Sequence, residues 1–139
     1  MSRDAGRLVS ATLLAVGGLT LAVGQAHADD PVLHHVRYTV TAQSPTSAKI
    51  YYRDVDPPNW ADYSHNPYQF SPRADADLGP GKSWTLDVML ADPAQWAMVT
   101  ASSGLSTTTP MFSCQLELDG NVVVTNNGAK GALCSIRTW

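Results

Sequence analysis

After residue 30 the apolar positions alternate with polar ones in short runs rich in β-branched and aromatic residues, with Gly, Pro and Asn clusters between them. A period of two with such punctuation predicts β-strands and almost no helix. Residues 36–41 place Val36, Tyr38 and Val40 on one face. Residues 48–53 continue after the Gln43-Ser44-Pro45-Thr46 turn, so the two segments are expected to form a hairpin. The pattern stops over residues 54–67, where Pro57, Pro58, Asn59, Asn66 and Pro67 break any ladder and a long irregular loop is expected. Residues 68–71 read as a short edge strand and residues 77–81 as a turn. Alternation is cleanest over residues 82–90, with Trp84, Leu86 and Val88 opposite Thr85, Asp87 and Met89. A further strand is expected over residues 95–101, followed by a polar connection.

The C-terminal third carries the sharpest signal. Phe112, Cys114, Leu116 and Leu118 point to one side, and Asp119-Gly120 follows at once, so residues 121–125 should return antiparallel. Asn127-Gly128 and Gly131 then turn the chain into a last strand that holds Cys134. Seven or eight short strands with frequent turns predict an all-β fold, an immunoglobulin-like two-sheet β-sandwich, with a small barrel as the alternative.

Residues 1–28 do not fit this pattern and read as a targeting segment. Arg3 and Arg7 supply a positive start, residues 8–23 are apolar apart from small and hydroxyl residues, and Ala26-His27-Ala28 offers small residues where a signal peptidase reads. The apolar run is shorter than the roughly 20 residues of a membrane span and contains Gly17 and Gly18, so cleavage after Ala28 is expected, leaving a secreted or cell-envelope domain of residues 29–139 with no stable membrane span. An uncleaved signal anchor is the other reading of the same run.

Composition narrows the function. The 139 residues are 15% charged with a formal net charge of -3, room for one small domain and no electrostatic basis for gripping a nucleic-acid backbone. Removing residues 1–28 takes away Arg3, Arg7 and Asp4 and leaves seven basic residues against 11 acidic ones, a mild acidity that selects no partner. Two cysteines remain, Cys114 and Cys134. Export puts them in an oxidising compartment, where an even pair bridges, so a Cys114–Cys134 disulfide pinning the outer strands of the C-terminal meander is expected over two buried thiols.

Motifs for catalysis are missing: there is no Gly-x-Ser-x-Gly, Ser-x-x-Lys, His-Glu-x-x-His, Walker-type loop or Cys-x-x-Cys. Of the three histidines after residue 28, His34 and His35 sit at the start of the domain and only His65 lies in the long loop, without zinc-site spacing. The expectation is therefore a non-enzymatic protein with no cofactor and no metal. Asp54-Val55-Asp56 offers two carboxylates of the kind that hold calcium, but the following Pro-Pro blocks an EF-hand loop, and two solvated loop aspartates are the favoured reading. More informative is the aromatic density: Tyr51, Tyr52, Trp60, Tyr63, Tyr68 and Phe70 supply six of the 11 aromatic residues within 20 positions. Such a loop is either a lid on the core or a binding surface, since aromatic rings give large contact area at low entropy cost. Trp60, Tyr63 and Tyr68 are the candidate contacts for a lipid, glycan or protein.

The stretch Cys114-Gln115-Leu116-Glu117-Leu118-Asp119-Gly120-Asn121-Val122-Val123, with Cys134 on a short terminal strand, resembles the MmpS family, small accessory proteins of mycobacterial MmpL lipid and siderophore exporters. Looser similarity runs through Val36-Arg37-Tyr38-Thr39-Val40, Ala48-Lys49-Ile50-Tyr51-Tyr52 and Trp84-Thr85-Leu86-Asp87-Val88, covering most of residues 33–139. The resemblance implies an extracytoplasmic β-sandwich with a disulfide between the two cysteines, a non-enzymatic role and a membrane-transporter partner. Family members are usually held by an N-terminal transmembrane helix, whereas this chain has the shorter apolar run and a longer loop at residues 54–67. The functional expectation is a binding or accessory protein in lipid or siderophore export; the alternative is a structural or host-facing secreted antigen without a small ligand.

Overall fold

The computed structural model describes residues 30–138; the expected signal peptide and the cleavage site after Ala28 lie outside them. Eight strands alternate with two short helices: β1 (His34–Ala42), β2 (Thr46–Tyr52), α1 (Trp60–His65), β3 (Arg73–Leu78), β4 (Trp84–Leu90), α2 (Pro93–Trp96), β5 (Met98–Ser102), β6 (Phe112–Leu118), β7 (Asn121–Gly128) and β8 (Gly131–Ser135). They build two four-stranded antiparallel sheets, ordered β4-β1-β6-β7 and β3-β2-β5-β8. The two-sheet sandwich expected from the alternation is thus present.

The alternation of each strand becomes one face of one sheet. Val36, Tyr38 and Val40 of β1, Ile50 of β2, Val99 of β5 and Leu116 of β6 are wholly buried between the layers, and Phe112 and Leu90 close the two ends of the core. Asp119-Gly120 makes the expected hairpin between β6 and β7, both residues having positive φ (49° and 85°) as a two-residue turn of this type requires.

Four expectations are corrected. Residues 36–41 and 48–53 are strands but not a hairpin: β1 pairs with β4 and β6, and the connection through Pro45 carries the chain to the other sheet. Gln43 and Ser44 donate their backbone N–H groups to Pro110, at 3.0 and 3.1 Å, which holds this connection as an arch between layers. Residues 67–70 form a 3-10 turn with Pro67 in its first turn, and the edge strand is instead β3, whose Ala74, Ala76 and Leu78 face inward between Arg73, Asp75 and Asp77. Pro67 presets the turn, and alanine gives β3 little strand propensity to reveal it. Residues 93–96 form α2, started by Pro93 and capped by the Asp92 side chain, so that only residues 98–102 are strand.

The fourth concerns the bridge. Cys114 and Cys134 are joined as expected, with Cα atoms 6.0 Å apart. They do not pin the outer strands of a meander, because β8 leaves β7 and pairs with β5 in the opposite sheet. The disulfide therefore staples an inner strand of one sheet to the edge strand of the other.

Tyr38 ties the core to the long loop. Its buried hydroxyl donates to the Arg53 carbonyl at 2.7 Å and accepts from the Met98 N–H at 3.3 Å, joining the end of β2 to the start of β5. Burial pushes this phenol far above its ordinary pKa, so it remains protonated and able to donate.

Candidate functional site

Between β2 and β3 the chain makes an excursion, residues 53–72, that rises from the sandwich and carries most of the aromatic cluster. Three devices fix it. Asp56 accepts the backbone N–H groups of Ala91 (2.7 Å) and Asp92 (2.8 Å), fastening the excursion to the end of β4. Both oxygens of the residue weighed as a cation ligand are thereby engaged by the backbone. Helix α1 is begun by Asn59, whose side chain accepts from the Asp62 N–H at 2.8 Å, and it buries no residue of its own.

Stacked rings and cations supply what burial does not. Trp60 lies nearly parallel to Trp96 (centroids 6.2 Å, 21°), and Tyr63 meets Trp96 edge-on at 5.4 Å and Trp60 at 5.3 Å. The guanidinium of Arg53, a residue with no exposed surface, sits 4.4 Å from the Tyr63 ring and 5.5 Å from that of Trp96, and donates to the Tyr63 hydroxyl at 3.3 Å. Arg137, from the C-terminal end, covers Trp60 at 4.2 Å. Rings and guanidinium planes in such contact stabilise each other by cation–π attraction as well as by burial. Arg53, Trp96 and Arg137 are not marked as site residues by the sequence: Trp96 falls in the strand expected over residues 95–101, and no local motif connects the three.

The expected contact residues separate here. Tyr63 and Tyr68 come together, with Tyr51, Pro67, Ser71 and Met98, around an open groove of about 340 Å³. Tyr68 projects from the 3-10 turn with 79% of its surface exposed. Trp60 lies outside this lining, on the far side of Tyr63, where it is half covered by Trp96 and Arg137. His65 is exposed at the end of α1. A larger hollow of about 430 Å³ near Pro45, Ser47, Asp77 and Lys82 is lined by no aromatic side chain, and its Ser47 hydroxyl is bonded to Asp77.

The other two histidines join a hydrogen-bonded network with carboxylates at the His34 end of the first sheet. His34 is 2.8 Å from Asp119, His35 is 2.8 Å from Asp87, and Arg37 reaches Asp87 at 2.7 Å. Hydrogen bonds from Arg37 and then His35 hold the Asp87 carboxyl below its ordinary range; those from the His34 ring and the His35 backbone do the same for Asp119. On the other sheet Arg73 lowers Asp75. A carboxyl whose folded pKa lies below its unfolded value adds stability that is in place above the unfolded value and disappears as pH falls through the folded one. The thermal midpoint is accordingly expected to drop as pH is taken from about 5 to about 2, with a shallower drop in Asp87→Asn, measured by circular dichroism.

These features define a class, a disulfide-stapled β-sandwich with an aromatic excursion between its second and third strands. The chain belongs to the Rv2576c beta-sandwich domain family, which it matches over residues 38–134, from the first strand to the second cysteine. It is 38% identical over 132 residues to the uncharacterized proteins Rv2576c of Mycobacterium tuberculosis (strain H37Rv) and Mb2606c of Mycobacterium bovis, a similarity spanning 95% of this chain and 83% of each relative.

Proposed function

We propose that this protein is a non-enzymatic binding module, secreted or held in the cell envelope after removal of an N-terminal signal peptide, that holds a lipid or glycan ligand in the groove at Tyr63 and Tyr68. The observation that carries the proposal is the exposure of Tyr68 beside a groove whose walls are anchored by Asp56, Arg53 and Trp96. A large aromatic side chain presented to solvent by an ordered backbone is the arrangement of a contact residue, because only two side-chain torsions remain to be fixed on binding. The disulfide fits an oxidising compartment. An accessory role in lipid or siderophore export is the form this binding takes if the MmpS resemblance extends to function; the description of the matched family refers only to its fold.

Native mass spectrometry of the protein recovered from its host tests the proposal. The wild type is expected to carry extra mass that disappears on denaturation, and Tyr68→Ala to lose it while its melting free energy stays within about 0.5 kcal/mol, as for an exposed substitution. A clean apo protein in both forms favours the structural or host-facing reading.

A further inference from the structure

Four of the six side chains that line the groove, Tyr51, Tyr63, Tyr68 and Ser71, end in a hydroxyl; the other two, Pro67 and Met98, are apolar. None is charged. We infer that the ligand of this groove is a neutral sugar ring, laid face-on against Tyr68 and hydrogen-bonded by the hydroxyls around it, an inference that rests on the binding proposal above.

Charge argues against an anionic headgroup. Phosphate and carboxylate are recognised by arginine or lysine, most strongly by two-pronged guanidinium contacts. Of the arginines that adjoin the lining, Arg73, opposite Tyr51 in the β2–β3 ladder, is already neutralised by Asp75 through bonds of 3.0 and 3.1 Å and is hydrogen-bonded to the Tyr51 side chain as well. Arg53 lies wholly buried behind Tyr63. An acyl chain fits no better, because it would cover the Tyr68 and Ser71 hydroxyls without giving them a hydrogen bond, and buried unpaired hydroxyls are costly. A pyranose ring has one face of C–H groups and a rim of hydroxyls. The first matches the exposed Tyr68 ring and the Pro67 and Met98 surfaces, and the second matches the phenols and Ser71. Tyr68 is also preset, since the turn that holds it is closed by bonds from Gln69 N–H to Asn66 (3.2 Å) and from Ser71 N–H to Tyr68 (3.4 Å).

The test is a titration of the disulfide-intact protein with neutral linear oligosaccharides of glucose, mannose and arabinose, followed by amide chemical shifts. Sedimentation with vesicles of phosphatidylcholine and phosphatidylinositol runs in parallel. One of the sugars is expected to shift the amides of Tyr51, Tyr68 and Ser71, with an affinity insensitive to added salt. Tyr68→Ala should weaken binding about tenfold, the size of one ring contact, while Tyr68→Trp retains it. Absence of any sugar-induced shift at the groove overturns the sugar assignment. The vesicles then separate the two claims: sedimentation abolished by Tyr68→Ala leaves the groove as a binding site for an anionic lipid, and no dependence on Tyr68 in either arm overturns the binding proposal as well.

Discussion

Replacing Cys114 and Cys134 together by alanine is expected to lower the free energy of unfolding by about 2–5 kcal/mol, the range seen when a native disulfide is removed from a small domain. Geometry places this pair toward the upper part of that range. The bridge joins the inner strand β6 of one sheet to β8, a five-residue edge strand that, among the described residues, has β5 as its ladder partner. Both cysteines are buried, so their loss also removes packing between the layers. Without the bridge, β8 should open first. Urea unfolding with hydrogen exchange checks both parts: early loss of protection at residues 131–135, and retained protection at Val36, Tyr38 and Val40. A loss below about 1 kcal/mol would mean that packing alone holds the sheets together.

Trp96→Ala is the second large effect, expected to cost about 3–5 kcal/mol, as for truncation of a buried tryptophan. Trp96 is 4% exposed and touches Trp60, Tyr63 and Arg53 at once. Its removal takes the floor from under α1, which buries no residue of its own, and frees Tyr63 to leave the groove wall. Stability and binding should therefore fall together. Trp60→Ala, at a ring 44% exposed, is expected to cost roughly 1 kcal/mol. Thermal unfolding separates the two variants, since only Trp96→Ala removes the buried ring that Trp60, Tyr63 and Arg53 share. Equal costs would show that the excursion is held by Asp56 and its capped helix instead.

What was legible in the sequence follows from what alternation encodes. Period two specifies that a segment is a strand and which of its faces is apolar, and β1, β4 and β6 were readable on that basis. It does not specify the neighbour. The β6–β7 hairpin was legible because Asp119-Gly120 carries the turn geometry itself, whereas Gln43-Ser44-Pro45-Thr46 suits a hairpin turn and an arch between sheets equally. Helix α1 escaped notice because six residues without a buried face leave no 3.6-residue period, although Asn59 with Asp62 three positions on marked its cap. Within the site, Tyr63 and Tyr68 stood out through local aromatic density. Arg53, Trp96 and Arg137 come from three separate parts of the chain, and only the folded arrangement brings their planes onto the same rings.

The central claim is that the Tyr68 groove is where this domain meets its ligand. It is tested most directly by recording amide chemical shifts of the labelled protein before and after addition of a combined lipid and polysaccharide extract of the host envelope. Perturbations confined to Tyr51, Tyr63, Tyr68, Ser71 and Met98 are expected, and none of them in Tyr68→Ala. Perturbations centred instead on the outer face of the first sheet, around His35, Arg37 and Asp87, would contradict it.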